Sequence, residues 1–205
     1  LLKPGKNPGD NKVFMLILAA VVQAVDDYQD LLRVSVATAG NDHRLGGHEA
    51  PPAIISMFLG DDLEEIVDAT IAGESVSKKA SNFMGLGAAV LPKIKQDTTD
   101  RNRTSPFAFT GNKFEFRMTG SEQSIGDASF VLNTIVAESL CQFADILEGA
   151  DDFEAARDAL IKDVLTKHRR IIFNGDNYTE EWVAKAEELG LLNLTSTNMA
   201  APYLK

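Results

Sequence analysis

The chain has 205 residues, 44% of them hydrophobic and 24% charged, with 30 acidic against 20 basic side chains and a net charge of −10. That is enough chain and apolar content for a self-supporting core. The acidic balance argues against nonspecific nucleic-acid binding, which works by neutralising phosphates with Lys and Arg, but leaves small anionic ligands open wherever a few cations gather locally. The one cysteine, Cys141, excludes an internal disulfide framework and fits a reducing, cytoplasmic setting.

The sequence opens "LLKPGKNPGDN", without an initiator Met, and reads as a piece of something longer. Asp10 or Asn11 can cap a helix running to about Tyr28, apolar around its first three turns and so expected to be buried. Its longest apolar run, Val13 to Val22, is about half of the roughly 20 residues that a membrane span needs, and neither a membrane segment nor a signal peptide is expected. "DLLRVSVATAG" is a short helical or extended segment. It leads into "GNDHRLGGHEAPPA", residues 40–53, in which Gly46-Gly47 supplies backbone freedom and Pro51-Pro52 stiffens the exit. This loop reads either as an exposed polar turn or as a flap that closes over a substrate and presents a carboxylate. His43 and His48 are too isolated for metal ligands and are expected to face solvent.

"AIISMFLG" reads as a strand, and "DDLEEIVDATIAG" as a helix with Asp61 as its N-cap and Gly73 as its stop. Residues 74–105 have weak periodicity. "SPFAFTGNKFEFRM" is a hairpin over 106–118. Alternation along its second strand puts Lys113, Glu115 and Arg117 on one face and Phe114 and Phe116 on the other, with Phe107 and Phe109 joining the apolar side. The cation–carboxylate–cation face is either a solvated surface with cross-strand ion pairs or a site for an anionic ligand with a divalent metal. Arg101 and Arg103, just upstream, could clamp phosphate oxygens.

From Ser129 onward the pattern is helical. One apolar face runs Leu132, Ile135, Val136, Ser139, Leu140, Phe143, Ile146 and Leu147, with Cys141 read as inert packing at its edge. A second runs Phe153, Ala156, Leu160, Ile161, Val164 and Leu165, followed by His168 as a favourable helix-end cation. A third helix is capped by Thr179 and closed by Gly190. The expected architecture is α+β: short antiparallel strands packed on helices over 1–128, then a helical region over 129–205.

Together, "LLKPGKNP", "AGNDHRLGGHEAPPAIIS", "DRNRTSPFAFTGNKFEFRM" and "VLNTIVAE" resemble the C-terminal half of the glutamine synthetase catalytic domain, specifically of the type III form. The resemblance covers residues 1 to about 60 and about 98 to 140, and "IIFNGDNYTEEW" looks like the type III C-terminal region. It implies ATP-dependent ligation of ammonium to glutamate through γ-glutamyl phosphate, with Mg2+ or Mn2+ and ATP, in a homo-oligomeric ring. It also implies roles. Arg44 and Arg117 would hold glutamate, Glu49 would close the site and take a proton from ammonium or its adduct, and Arg103 would stabilise the transferring phosphoryl group. Lys113 would lie on the nucleotide side and Glu115 would ligate the metal. The chain departs from the shorter enzymes at Ala108, where they carry a further arginine, and in a flap shorter by one residue.

The family's N-terminal β-grasp domain, acidic metal-binding strands and histidine segment are not in this sequence. A synthetase fragment, inactive as an isolated chain, is therefore the expectation. A γ-glutamyl-amine ligase of the same superfamily and a noncatalytic synthetase-like binding or regulatory module are the alternatives.

Overall fold

The computed structural model describes residues 1–47, 50–74 and 104–203 in full and the backbone of 83–84 and 94–95. A 3-10 turn at Pro8–Asp10 leads into α1 (Lys12–Asp27), with Asn11 as the N-cap: its side chain accepts the Phe14 amide. With almost no polar residues on any face, α1 is buried nearly all round, from Phe14 to Asp26. It is the axis of the molecule. Around it pack α5 (Ile125–Glu148) and α6 (Phe153–Lys167), and α6 in turn packs on α4 (Asp61–Ala72). One apolar cluster runs through all of them, from Phe14 to Leu191.

The remaining helices are short: α2 (Gln29–Val34), α3 (Ala39–Arg44), α7 (Glu180–Glu188) and α8 (Thr197–Ala200). Thr179 caps α7 as its sequence suggests, accepting the Trp182 amide, and Gly73 ends α4 in the left-handed region. Two details of the helices differ from expectation. Gly60, at φ 84°, occupies the N-cap position of α4, and the Asn174 side chain accepts the Leu59 and Gly60 amides there, so Asp61 is the first helical residue. α5 begins at Ile125, four residues before Ser129, because Ser124 accepts the Gly126 amide and starts the helix early.

The α+β class holds. Strands β4 (Phe107–Phe109) and β5 (Phe114–Phe116) form the antiparallel hairpin, in the register Phe107–Phe116, Ala108–Glu115, Phe109–Phe114. β1 (Met57–Phe58) joins the other edge of β4, and it does so in parallel, so the sheet is mixed and not wholly antiparallel. A parallel partner needs a long crossover, and the chain between Phe58 and Phe107, α4 included, provides it. A second antiparallel pair, β2 (Phe83–Met84) with β3 (Ile94–Lys95), lies within that crossover. The phenylalanines of β4 and β5 stack on one another, Phe107 on Phe114 at 5.2 Å, and Phe109 meets Phe14 of α1 at 5.9 Å. This apolar side fixes the hairpin against α1 and turns the charged side chains of β5 away from the core.

The apolar faces of α5 and α6 are close to those expected, with three corrections. Ile146 and Phe153 are exposed, the latter because it is the first residue of α6 and its side chain lies before the packed turns. Cys141 is exposed, not packed: the buried stripe of α5 is Val131, Ile135, Ser139 and Phe143, and a residue two positions from Ser139 points well away from it. By length and composition α5 is the one helix, among the described residues, apolar enough to cross a membrane. Its outward face carries Asp127, Glu138, Asp145 and Glu148, carboxylates that would be costly in hydrocarbon.

Candidate active site

The geometry begins with β5. Lys113 precedes the strand and Arg117 follows it, so with Glu115 they occupy alternate positions on one face. Lys113 Nζ lies 3.1 Å from Glu115 Oε1, and Arg117 Nη2 lies 3.1 Å from Glu115 Oε2. The Thr110 hydroxyl, from the hairpin turn, donates to Oε1 at 3.4 Å. Side-chain exposure falls along the row, from 64% at Lys113 through 36% at Glu115 to 15% at Arg117. The row therefore runs from open water to a recess, with Arg117 at the inner end. The hydrogen bonds from Lys113, then Arg117, hold the Glu115 carboxyl below its ordinary range against a smaller opposing effect of burial.

Arg44 comes to the same place from α3. The sequence suggests an irregular loop over 40–53, but residues 40–44 are helical: Thr38 caps α3 by accepting the Asn41 amide, and the helix ends at Arg44. Asn41 and Arg44, three apart, share one face. Asn41 Nδ2 donates to the carbonyls of Val36 and Met118, both at 2.8 Å. Arg44 Nη1 donates to Asn41 Oδ1 and to the Met118 carbonyl, and Nη2 donates to the Arg117 carbonyl at 3.1 Å. The arginine at the end of α3 is thus anchored to the backbone just where β5 ends. Beyond α3, Gly46 takes φ 78° and its amide donates to the Pro51 carbonyl at 2.9 Å, which pinches the base of the remaining turn.

Lys113, Glu115 and Arg117 therefore share one charged face, and Arg44 reaches the backbone at its inner end. His43 is exposed, as expected, although on a helix and not in a loop. Glu49, His48, Arg101 and Arg103 lie outside the described residues. Ala108 is buried directly across from Glu115 in the hairpin register, so no cation faces the carboxylate from that position.

A divalent ion needs several hard oxygen ligands. Among the described residues Glu115 is the one carboxylate of this group, and both of its oxygens are engaged by cations and Thr110. These residues alone do not make a metal site. Asp26, Asp27 and His168 form another grouping of potential ligands, at the end of α1. There Arg170 Nε already lies 3.0 and 3.1 Å from the two oxygens of Asp26, so a cation is in place.

That second grouping gives His168 a partner that its place in the sequence does not show. It stands at the end of α6, as expected, but inside the molecule: both His168 and Asp26 have 2% exposed side chains, with Nδ1 2.7 Å from Asp26 Oδ2. Arg33 carries no local signal of its role: it is buried, its Nε donates to the Leu194 carbonyl in the interior, and its Nη2 pairs with the part-buried Asp42 Oδ1. A single arginine inside "LLRVSV" must either break the burial of its neighbours or bring a carboxylate in with it.

Similarity to known proteins identifies the family of the chain. Residues 156–205 match the model of the glutamine synthetase C-terminal domain. A type-3 glutamine synthetase of Dictyostelium discoideum is 49% identical over 200 residues, which are 96% of this chain and 27% of that protein. Glutamine synthetases of Butyrivibrio fibrisolvens and Bacteroides fragilis (strain YCH46) are 44% and 42% identical, covering 99% and 95% of this chain and 29% and 28% of those proteins. On these matches the chain belongs to the glutamine synthetase family. Within the family its similarity extends to the type-3 form, and it spans less than a third of the length of the curated relatives it matches.

Proposed function

We propose that this chain forms the glutamate-side wall of an ATP-dependent glutamate–ammonia ligase. The observation that carries the reading is the row of charges from Lys113 in water through Glu115 to the recessed Arg117, whose own carbonyl Arg44 holds. Arg117 is the side chain suited to gripping a carboxylate, since its guanidinium is planar, always charged and set in a recess where water screens it little. Glu115 keeps that guanidinium oriented, and Arg44 fixes the backbone from which Arg117 projects. Lys113, the most exposed of the four, suits the phosphates of a nucleotide at the mouth of the site.

The chemistry asks for such a wall. Making an amide from a carboxylate at neutral pH needs the carboxyl oxygen converted into a leaving group, and phosphorylation by ATP supplies one. The transfer depends chiefly on positioning and on neutralising charge. The acyl phosphate must then meet ammonia before water. That gives Glu49 and the turn beyond Gly46 the work of covering the site and taking a proton from the incoming nitrogen. Arg103 is the proposed partner of the transferring phosphoryl group. Mg2+ or Mn2+ would take Glu115 as one ligand, with others from outside the described residues. A homo-oligomeric ring built by the full-length protein is part of the same proposal.

The test is ADP release by the full-length protein carrying this segment, with glutamate and ammonium omitted in turn, and with Arg117→Ala alongside. Turnover that needs both substrates, and that falls by on the order of a hundredfold or more in the variant, is the expected result. Turnover indifferent to ammonium would instead select a γ-glutamyl-amine ligase, and turnover indifferent to Arg117 would remove the proposed carboxylate site.

A further inference from the structure

Helix α3 is held from two sides. On one side Asn41 and Arg44 bind the backbone at the end of β5. On the other, Asp42 faces the segment that leads into α8. Its Oδ2 accepts the Thr197 amide at 2.7 Å and its Oδ1 accepts from Arg33 Nη2 at 2.8 Å, while Arg33 Nε donates to the Leu194 carbonyl at 2.7 Å. Burial alone would raise the Asp42 carboxyl, but the Thr197 amide and Arg33 outweigh it and hold the group below its ordinary range. Arg33 is itself 1% exposed. The segment 194–197 thus closes a loop of charged and backbone hydrogen bonds onto a helix that begins more than 150 residues earlier in the chain.

A six-residue helix has little stability of its own. Its position is set by what it touches, and here that means the end of β5 and residues 194–197.

We infer that Asp42 is a positioning residue, through which the segment Leu194–Thr197 sets α3, and with it Arg44, against the end of β5. The inference rests on the reading of Arg117 as the glutamate subsite, with Arg44 fixing the backbone from which it projects. It adds to that reading a distant segment that touches no residue of the charged row and yet controls how well the row is presented.

Thr197 is the first residue of α8, after Ser196 at φ −131° and ψ 157°. Proline is favoured at a first helical position and tolerates an extended residue before it. Thr197→Pro therefore removes the amide that Asp42 accepts while leaving α8 and the Arg33–Asp42 pair intact. Ser196→Ala is the control, since it removes the α8 cap that accepts the Met199 amide and does not touch Asp42.

In the full-length protein, Thr197→Pro is expected to raise the KM for glutamate by on the order of tenfold, the worth of one hydrogen bond to a charged group. Its KM for ATP and its kcat should stay within about twofold, and amide exchange across Asn41–Leu45 should quicken. Ser196→Ala should do neither. Exchange that quickens with an unmoved glutamate KM overturns the positioning role, as does the same KM rise in Ser196→Ala. If the parent protein needs neither glutamate nor ammonium, the ligase reading has failed. The exchange measurement then decides the link between the two segments by itself, and unchanged exchange in Thr197→Pro sinks it.

Discussion

Glu115 and Asp26 each hold an arginine, that of Glu115 two positions away in the sequence and that of Asp26 144 positions away. At β5 the carboxylate lies between two cations on a strand edge, part-exposed, with Lys113 largely in water. At the end of α1, Asp26 is enclosed between His168 and Arg170, and Gln29 also reaches it. The difference is water. An ion pair that water reaches contributes little to folding and can exchange partners with a ligand, whereas Asp26, 2% exposed, depends on the groups packed around it, although Arg170 itself is 40% exposed. The first arrangement suits a site, and the second joins the ends of α1 and α6.

Removing the enclosed carboxylate should therefore have the largest effect on stability. Asp26→Ala leaves the buried Nδ1 of His168 without its partner and releases Arg170, which is 40% exposed, to water; the expected cost is about 3 kcal/mol, read as a shift of the urea midpoint. A loss below about 1 kcal/mol would show that water readily replaces Asp26 as the partner of His168, and the contrast with Glu115 would collapse. Next comes Gly175→Ala. A methyl there overlaps the tip of the Phe173 ring, which cannot swing aside because it is stacked on Trp182 at a centroid distance of 3.8 Å. The expected cost is about 1–3 kcal/mol, with a change in tryptophan fluorescence; an unchanged spectrum would mean that the stack yields freely.

The acid limb gives a third, smaller effect. Asp42 is depressed in the folded state, so its contribution is present above its ordinary value of 3.8 and is lost as pH falls through the lower folded value. Stability should hold from neutrality to about pH 4 and decline below it, and Asp42→Asn should flatten that decline. A variant as acid-sensitive as the parent would move the responsibility to other carboxylates. The least effect on stability is expected from Glu115→Gln, within about 1 kcal/mol, and yet turnover by the full-length protein should fall sharply. A large loss of stability there would make the strand face a structural ion-pair network.

Much of this was legible in the residues because the signals are local. The phenylalanine alternation of 107–116 fixes both the hairpin and the side on which Lys113, Glu115 and Arg117 project. Asn11, Gly73 and Thr179 mark helix ends through their own side chains or backbone freedom. What was hidden depends on distant partners. α3 is too short to show a period, and it is a helix because Asn41 and Arg44 find carbonyls more than seventy residues away. The burial of His168 depends on Asp26, 142 positions earlier, and no spacing rule connects them. The exposure of Cys141 is a matter of about two residues of helical phase on a helix with apolar residues on several faces.

The small sheet has a bearing on how the chain is made. Met57 pairs with Phe107 on one side and bridges to Ile172 on the other, with the Phe173 amide donating to the Met57 carbonyl at 2.8 Å. Three segments separated by about fifty and sixty-five residues must meet before that strand is complete. The α5–α6 pair, by contrast, can close as soon as its own residues emerge from the ribosome. During synthesis β1 thus waits for residue 173, its edge unpaired and its neighbours apolar. A nascent chain stalled before that point is the form of this protein most exposed to aggregation and most in need of a chaperone.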